Sequence, residues 1–263
     1  MKEQKNIGNH VKGEFIMIID ALNLHYRDLN NLLDVIIIKG ERNIVLKNVF
    51  GQRYIGRGLS ENTKVKIYGT PGNDMGSYMD GAELEIFGNG QDAVGNTMNS
   101  GKIIIHGSCG DTLGYAMRGG EIYVEGNVGY RVGIHMKEYK EMKPVIVAGG
   151  KAGEYLGEYM AGGVIILLGL NFEEEKNTGI IGKFCGTGMH GGIIYLNGVP
   201  SECNFGKELT RFNLIKEDFF LLKKHIDFYA KTFKKDIKHL KMESFSKYVA
   251  INKNPYSNMY CAY

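Results

Sequence analysis

The sequence carries a motif that returns every 19 residues between Val65 and Met136. In its first copy, Gly69 closes a short apolar segment, and a second glycine and a methionine follow at Gly76 and Met79. The same glycine and methionine recur in later copies as Gly95 and Met98, Gly114 and Met117, Gly133 and Met136, Gly157 and Met160, and Gly186 and Met189. A fixed period of this length indicates a repeat architecture, so this motif constrains the fold more than any other feature.

Each copy contains one short strand in which apolar and polar residues alternate, as in the segment from Lys64 to Ile67. Alternation places the apolar side chains on one face of the strand. A repeat of this length is too short for a strand plus a crossover helix, which needs about 30 residues or more. It is long enough for one coil of a parallel β-helix, in which coils stack about 4.8 Å apart. We therefore predict an all-β fold, a single-stranded parallel β-helix of about seven coils.

The repeated glycines and methionines have structural interpretations. Glycine adopts a positive φ at little cost, so the recurring glycines are predicted to form the corners of the coils. The methionines are predicted to stack inside, one per coil, because a flexible thioether side chain fills irregular gaps. We interpret this column as core rather than as a set of metal or haem ligands.

The repeat divides the chain into three segments of one structural domain. Residues 1–40 are predicted to cap the open first coil, residues 41–200 to form the β-helix, and residues 201–263 to form a helix and a tail packed on it. In the first segment, we predict a helix over Leu22–Leu33 capped by Asp20. In the last, we predict a helix over Lys216–Phe233 and an irregular tail from Phe245 to Tyr263.

The outward strand positions change character along the β-helix. They are charged or mixed in the early coils, whereas in the last three strands they are apolar, as at Val145, Val147, Val164 and Ile166. A strand that is apolar on both faces is buried on both faces. Either the helix predicted over Lys216–Phe233 or a partner subunit must cover this surface.

Composition argues against several classes of function. The formal net charge of +3 and the lack of a basic stripe make nucleic acid an unexpected partner. The four cysteines form no close pair, so neither a zinc site nor an iron–sulfur site is indicated. No apolar signal segment or run of 18 apolar residues occurs, so we expect a cytoplasmic protein without a membrane span.

Few residues indicate chemistry. His106, His135 and His190 have no spacing typical of a metal site. Asp92 and Asp111 share one position in adjacent coils, where they are either a paired-carboxylate site or solvated turn residues. No glycine-rich segment lies between a strand and a crossover helix, so a dinucleotide site is not indicated.

Several segments resemble a known domain. They are Gly51-Gln52-Arg53-Tyr54-Ile55-Gly56, Tyr26-Arg27-Asp28-Leu29-Asn30, Glu158-Tyr159-Met160-Ala161-Gly162-Gly163-Val164, Gly188-Met189-His190-Gly191-Gly192, and the late Phe245 and Pro255-Tyr256. Together they resemble the GXGXG domain of glutamate synthase, in the form found as a separate polypeptide in archaeal-type enzymes. The chain is also similar to the C subunit of formylmethanofuran dehydrogenase and to a subunit of enzymes that make N-methylglutamate.

The resemblance implies a right-handed β-helix and a non-catalytic scaffold. In that family, the domain packs a glutaminase against a synthase that holds FMN and an iron–sulfur cluster, so neither cofactor is expected in this chain. The assembly would hydrolyse glutamine and reductively aminate 2-oxoglutarate. The isolated chain could self-associate through surfaces meant for its partners.

No family catalytic residue transfers to this sequence. The residues that we predict to be interface or architectural are Arg53, Tyr54, Arg57, Glu158, Tyr159 and His190. Two other functions stay open. One is an equivalent scaffold in a formylmethanofuran dehydrogenase-like or N-methylglutamate synthase-like complex, and the other, less favoured, is a free-standing carbohydrate-active β-helix enzyme.

Overall fold

The computed structural model of the protein describes residues 7–11, 14–170, 179–238 and 240–251. Its strands are β1 (Ile7–Val11), β2 (Glu14–Asp20), β3 (Asn43–Phe50), β4 (Lys64–Thr70), β5 (Asp80–Phe87), β6 (Ser100–Ile105), β7 (Glu121–Val124), β8 (Val145–Ala148), β9 (Ala161–Leu167), β10 (Gly191–Asn197), β11 (Leu209–Phe212) and β12 (Phe245–Ala250). Its α-helices are α1 (Tyr26–Ile38) and α2 (Lys216–Phe233), and short 3₁₀ turns lie at Glu202–Asn204 and Met242–Ser244.

The strands form one continuous sheet, and β2 to β10 pair in parallel and in sequence order. Such an order arises when the chain returns to the same edge after every strand, as in a solenoid. The predicted parallel β-helix is therefore confirmed, with about six turns where about seven coils were predicted. The strand register also agrees with the repeat, since Val65 pairs with Leu84, Leu84 with Ile103 and Ile103 with Ile122.

The interior of the solenoid is a stack of apolar columns. One column comes from the strands and contains Ile44, Val65, Leu84, Ile103, Ile122, Ile146, Ile165 and Ile194, all at most 1% exposed. A second contains Met79, Met98, Met117, Met136, Met160 and Met189, all fully buried. Because every coil buries its apolar side chains against those of the next coil, hydrophobic burial stabilises the stack along its whole length.

The N-terminal end differs in detail from the prediction. Strand β2 pairs in parallel with β3, and β1 pairs antiparallel with β2 at the edge. Helix α1 begins at Tyr26, not at Leu22, and its N-cap is His25 rather than Asp20. The Asp20 carboxylate instead accepts hydrogen bonds from the Leu22 amide and the Asn48 side chain. The predicted helix was therefore placed too early.

The C-terminal end contains a strand that the prediction missed. Residues Phe245–Ala250 form β12, which pairs antiparallel with both β10 and β11 and closes the open edge of the last coil. The prediction of an irregular tail is wrong for this segment, while residues 252–263, including Pro255 and Tyr256, lie outside the described residues. Helix α2 has the predicted bounds.

Helix α2 covers the outer face of the later coils. The outward residues Val145, Val147, Val164, Ile166 and Tyr195 are buried and form one cluster with Leu222, Ile226, Tyr229 and Phe233 of the helix. The apolar outer strand positions are therefore explained by an intramolecular contact. The alternative, a partner subunit on this surface, is not needed.

Candidate interaction surface

No metal centre can be built from the part of the chain that the structure describes. Within it, no three His, Cys, Asp or Glu side chains gather closely enough to hold a metal ion. Asp92 and Asp111 each accept a backbone hydrogen bond from the next coil, from the Asp111 amide at 2.9 Å and the Tyr130 amide at 2.8 Å. The two carboxylates thus join coils as turn residues, in agreement with the second of the two interpretations.

The corner of each coil has an unusual backbone. Three residues with positive φ alternate with residues of ordinary conformation, for example Arg131, Gly133 and His135, with φ of 53°, 70° and 55°. Their amides point alternately to the next coil and the previous one: Arg131 donates to Glu154, Gly133 to Leu113 and His135 to Glu158. The alternation satisfies the backbone groups of the corner without a regular strand.

The corner glycines adopt a nearly constant conformation. Their φ values lie between 68° and 70° at Gly76, Gly95, Gly114, Gly133, Gly157 and Gly186. Space is also limiting, since a Cβ on Gly114 would lie 2.5 Å from Cδ1 of Ile146. The packing therefore requires glycine there, and the left-handed backbone favours it.

The first group of predicted residues lies where α1 meets the first coil. The Arg53 carbonyl accepts a hydrogen bond from the buried Asn30, and the Arg53 guanidinium lies 5.0 Å from the ring centre of Tyr26. The Tyr54 ring is 5.9 Å from the same ring. Arg57 forms a 2.9 Å ion pair with Asp34 of α1. These contacts attach the N-terminal helix to the corner.

The second group lies at the same corner near the other end of the solenoid. Glu158 is 8% exposed and forms a 2.9 Å ion pair with Nε of Arg131. The Tyr159 ring stacks on His135 at 5.3 Å with an interplanar angle of 11°. Nδ1 of His190 lies 3.2 Å from the Gly188 carbonyl. These contacts show that the three residues hold neighbouring coils or parts of one corner together. Whether they also bind a partner stays a prediction.

A set of rings and one guanidinium, all exposed except the half-buried Tyr155, follows this corner, and it was not predicted as a unit from the sequence. We call it the corner ridge, and it consists of Tyr115, Arg131, His135, Tyr155, Tyr159 and Phe184. In one row, Tyr115 meets His135 edge-on at 5.9 Å, and His135 stacks on Tyr159. In the other, the Arg131 guanidinium lies 4.5 Å from the centre of the Tyr155 ring, which stacks on Phe184 at 4.9 Å. Part of the signal was available in the repeat, because Arg131, Tyr155 and Phe184 lie two residues before the corner glycines of successive coils, and His135 and Tyr159 lie two residues after them. Tyr115 lies one residue after Gly114 and does not follow this pattern.

The outer sheet face beyond α2 has a different character, because its charges neutralise one another across strands. Lys66 pairs with Glu85 at 3.4 Å, and Lys102 pairs with Glu121 at 3.5 Å. Lys224 of α2 lies 3.3 Å from the same Glu121 carboxylate, so this pairing extends to the edge of the helix. Burial alone would raise the pKa of Glu121, but coulombic attraction to Lys102 and Lys224 contributes to lowering it.

Two buried polar networks attach α2 to the sheet. In one, Nδ1 of His225 lies 2.8 Å from the hydroxyl of Tyr123, which donates to Glu121. Burial lowers the pKa of His225 to about 4, so the imidazole is neutral. In the other, Asp218 accepts hydrogen bonds from Tyr195 and Lys247. Burial alone would raise the pKa of Asp218, but these bonds and one from the Ile215 amide lower it.

Comparison with known proteins assigns the family. The GXGXG motif model matches residues 30–253, most of the chain. The chain belongs to the GXGXG family. This domain is found in the large subunit of glutamate synthase. The GXGXG chain is also 42% identical, over 256 residues, to an uncharacterized protein of Methanocaldococcus jannaschii, MJ1350. That alignment covers 95% of this chain and 98% of the relative.

The GXGXG segments quoted from the sequence coincide with specific corners of the solenoid. The motif from Gly51 to Gly56 forms the first corner, and Gln52 within it is buried and bonds to the carbonyls of Ala21 and Leu24. The motif from Glu158 to Val164 leads from a later corner into β9. No helix of this GXGXG chain, over the ranges described, is long and apolar enough to cross a membrane.

Proposed function

We propose that this chain is a non-catalytic scaffold subunit of a glutamate synthase-type complex. The chain would hold a glutaminase subunit and an FMN-containing synthase subunit in a fixed relation, in the cytoplasm. FMN and the iron–sulfur cluster would lie in the synthase and not in this chain. The observation that carries the proposal is the family match over residues 30–253, which includes strands β3 to β12.

The architecture is suited to this role. A solenoid in which every coil bonds to the next is a stiff body, because bending it would break several backbone hydrogen bonds at once. Stiffness matters if ammonia released at one active site must reach a second site without escaping to solvent. The intramolecular burial of the apolar outer face leaves the corners and the N-terminal coils as the surfaces open to partners.

The test is reconstitution from the same genome. This chain would be co-expressed with the candidate glutaminase and FMN synthase subunits, and the purified assembly would be weighed by mass photometry. We expect a three-component complex that forms glutamate from glutamine, 2-oxoglutarate and a reductant. Omitting this chain should lower glutamine-dependent turnover more than turnover supported by free ammonia, because only the former needs both active sites in register.

Other outcomes would contradict the proposal. If neither subunit binds this chain, or if coupled turnover is the same without it, the scaffold function in glutamate synthesis is wrong. Specific assembly with molybdopterin-binding or amidohydrolase subunits instead would indicate the formylmethanofuran dehydrogenase-like complex. Turnover of a polysaccharide by the purified chain alone would identify it as a carbohydrate-active enzyme.

A further inference from the structure

The corner ridge combines exposed tyrosines with Arg131, and two lysines that form no ion pair among the described residues lie beside it. Tyr115 is 39% exposed and Tyr159 is 38% exposed, and neither hydroxyl has a hydrogen-bond partner among the described residues. Lys137 and Lys183 are exposed beside the ridge, and neither forms an ion pair within the described ranges. Tyrosine and arginine are enriched at the centres of protein interfaces, whereas lone exposed lysines are usually solvated.

The charges of the ridge differ from those of the outer sheet face. On the sheet face, Lys66 and Lys102 each pair with a glutamate of the neighbouring strand. At the ridge, Glu158 is buried and already paired with Arg131, whose side chain remains 46% exposed. The ridge therefore presents guanidinium and phenol donors, with the Lys137 and Lys183 ammonium groups beside it. Of the neighbouring carboxylates, Glu138 accepts the Gly163 amide and Glu154 is half-buried. Carboxylates are the complementary group, since they accept from all three kinds of donor.

The ring geometry indicates which class of molecule the donors contact. One face of the Tyr159 ring is covered by His135, and the Cδ1–Cε1 edge lies so close to Gly188 that a Cβ added there would be 2.4 Å from both atoms. Nucleic-acid bases stack on free aromatic faces. His135 already occupies one face of this ring, and its hydroxyl has no partner among the described residues. A free hydroxyl on a ring held in this way suits hydrogen bonding to a protein surface better than sandwiching of a base.

We infer that the corner ridge binds an acidic surface of a partner protein in which Asp and Glu carboxylates meet Lys137, Arg131 and the hydroxyls of Tyr115 and Tyr159. This inference rests on the proposed function, in which that partner is the glutaminase or the FMN synthase subunit. Opposite charges across such an interface accelerate association and fix the relative orientation of the two proteins. Salt weakens this attraction by screening the charges.

The test measures binding of this chain to each purified subunit by calorimetry, at low and high salt. Lys137→Glu should weaken binding to one subunit about tenfold at low salt, and the loss should shrink at about 0.5 M salt. Tyr159→Phe keeps the stacked ring but removes the donor, and it should weaken the same interaction several-fold. Thermal melting of both variants should match that of the wild type, because both side-chain ends are exposed.

Matched controls lie on the outer sheet face. Lys64 is exposed and Tyr68 is 43% exposed and stacked on Phe87 at 4.6 Å, so these positions reproduce the environments of Lys137 and Tyr159. Lys64→Glu and Tyr68→Phe should change affinity by less than twofold. If the control variants weaken binding and the ridge variants do not, the ridge is not the docking surface.

Further outcomes would also overturn the inference. If the wild type binds a subunit equally well at both salt concentrations, its partner surface is not acidic. If this chain forms a dimer in sedimentation and the ridge variants are monomers, the molecule that binds the ridge is a second copy of this chain. If the wild type binds RNA and the ridge variants do not, the ridge binds a nucleic acid. If the wild type binds neither subunit, both the proposed function and the inference are wrong. If the ridge variants bind as well as the wild type, only the inference is wrong.

Discussion

The ammonium of Lys247 lies 2.8 Å from one carboxylate oxygen of Asp218 and 2.9 Å from the other, and their side chains are only 13% and 5% exposed. Asp218 lies in the first turn of helix α2 and Lys247 lies in β12, so this pair joins the covering helix to the strand that closes the last coil. Removing one member of a buried pair leaves the other charge without compensation.

We therefore expect Lys247→Met to lower the free energy of unfolding by about 3–5 kcal/mol in urea denaturation at neutral pH. The matched control is Lys223→Met, which removes the exposed pair with Asp227 in the same helix and should cost about 0.5 kcal/mol or less. Because the pKa of Asp218 is lowered by folding, its contribution is lost as pH falls, so the two variants should converge in strong acid. Equal costs at neutral pH would contradict the assignment.

Much of the architecture could be predicted because two patterns of the repeat, strand alternation and the spacing of glycine and methionine, indicate the same register. Val65 and Ile67 alternate with lysines, and Gly76 and Met79 follow at fixed distances, so strand and corner support one register. The positive φ of Tyr54, Arg131 and similar residues could not be predicted, because no glycine marks those positions. Their conformation is imposed by hydrogen bonds to the neighbouring coils.

The two ends were less predictable, because tertiary contacts decide their structure. Strand β12 lacks a clean alternation, and Phe245–Ala250 becomes a strand because β10 offers it an unpaired edge. At the other end, Asp20 has the right chemistry for a helix cap but bonds to Asn48 instead. The candidate residues at the corner were predicted one by one, because Tyr115 and Phe184 join them only when successive coils stack in space.

His225 predicts a pH dependence of stability. Its pKa is about 4 in the folded protein, below the value of about 6.5 expected in the unfolded chain. The unfolded state therefore binds the proton more readily between these values, and the free energy of unfolding should fall as pH drops from about 6.5 to about 4, by up to about 3 kcal/mol.

The measurement is urea denaturation at several pH values in that window, and His225→Asn is the comparison. Asparagine keeps a donor near the Tyr123 hydroxyl but does not titrate, so its curve should be flatter than that of the wild type. Parallel curves for the two proteins would show that His225 is not the responsible group.

Gly114 predicts a steric effect at the corner. Gly114→Ala places a methyl group 2.5 Å from Ile146 at a φ of 68°, which we expect to lower the free energy of unfolding by about 3 kcal/mol. Gly58 is the control, since it has a φ of 63° and a Cβ added to it would meet no atom within 4 Å. Gly58→Asn should cost less than about 1 kcal/mol, because asparagine tolerates a left-handed backbone. Equal melting temperatures for the two variants would contradict a packing role for Gly114.

Variants of Asp111 test whether its carboxylate serves the fold as a hydrogen-bond acceptor. Its Oδ1 accepts the Tyr130 amide, so Asp111→Ala should cost about 1 kcal/mol, whereas Asp111→Asn keeps an acceptor and should be nearly neutral. Thermal melting of the two variants gives the comparison. An asparagine variant as unstable as the alanine variant would show that the negative charge, not the hydrogen bond, is what the coil requires.

The corner backbone, whose amides bond alternately forward and backward, has a consequence for how such proteins can change in length. Each coil offers the same donors and acceptors to both neighbours, so one whole repeat can be duplicated or deleted without altering either cap. The separation between the two ends would then change in steps of about 4.8 Å. The length of such a solenoid can therefore change only by whole coils.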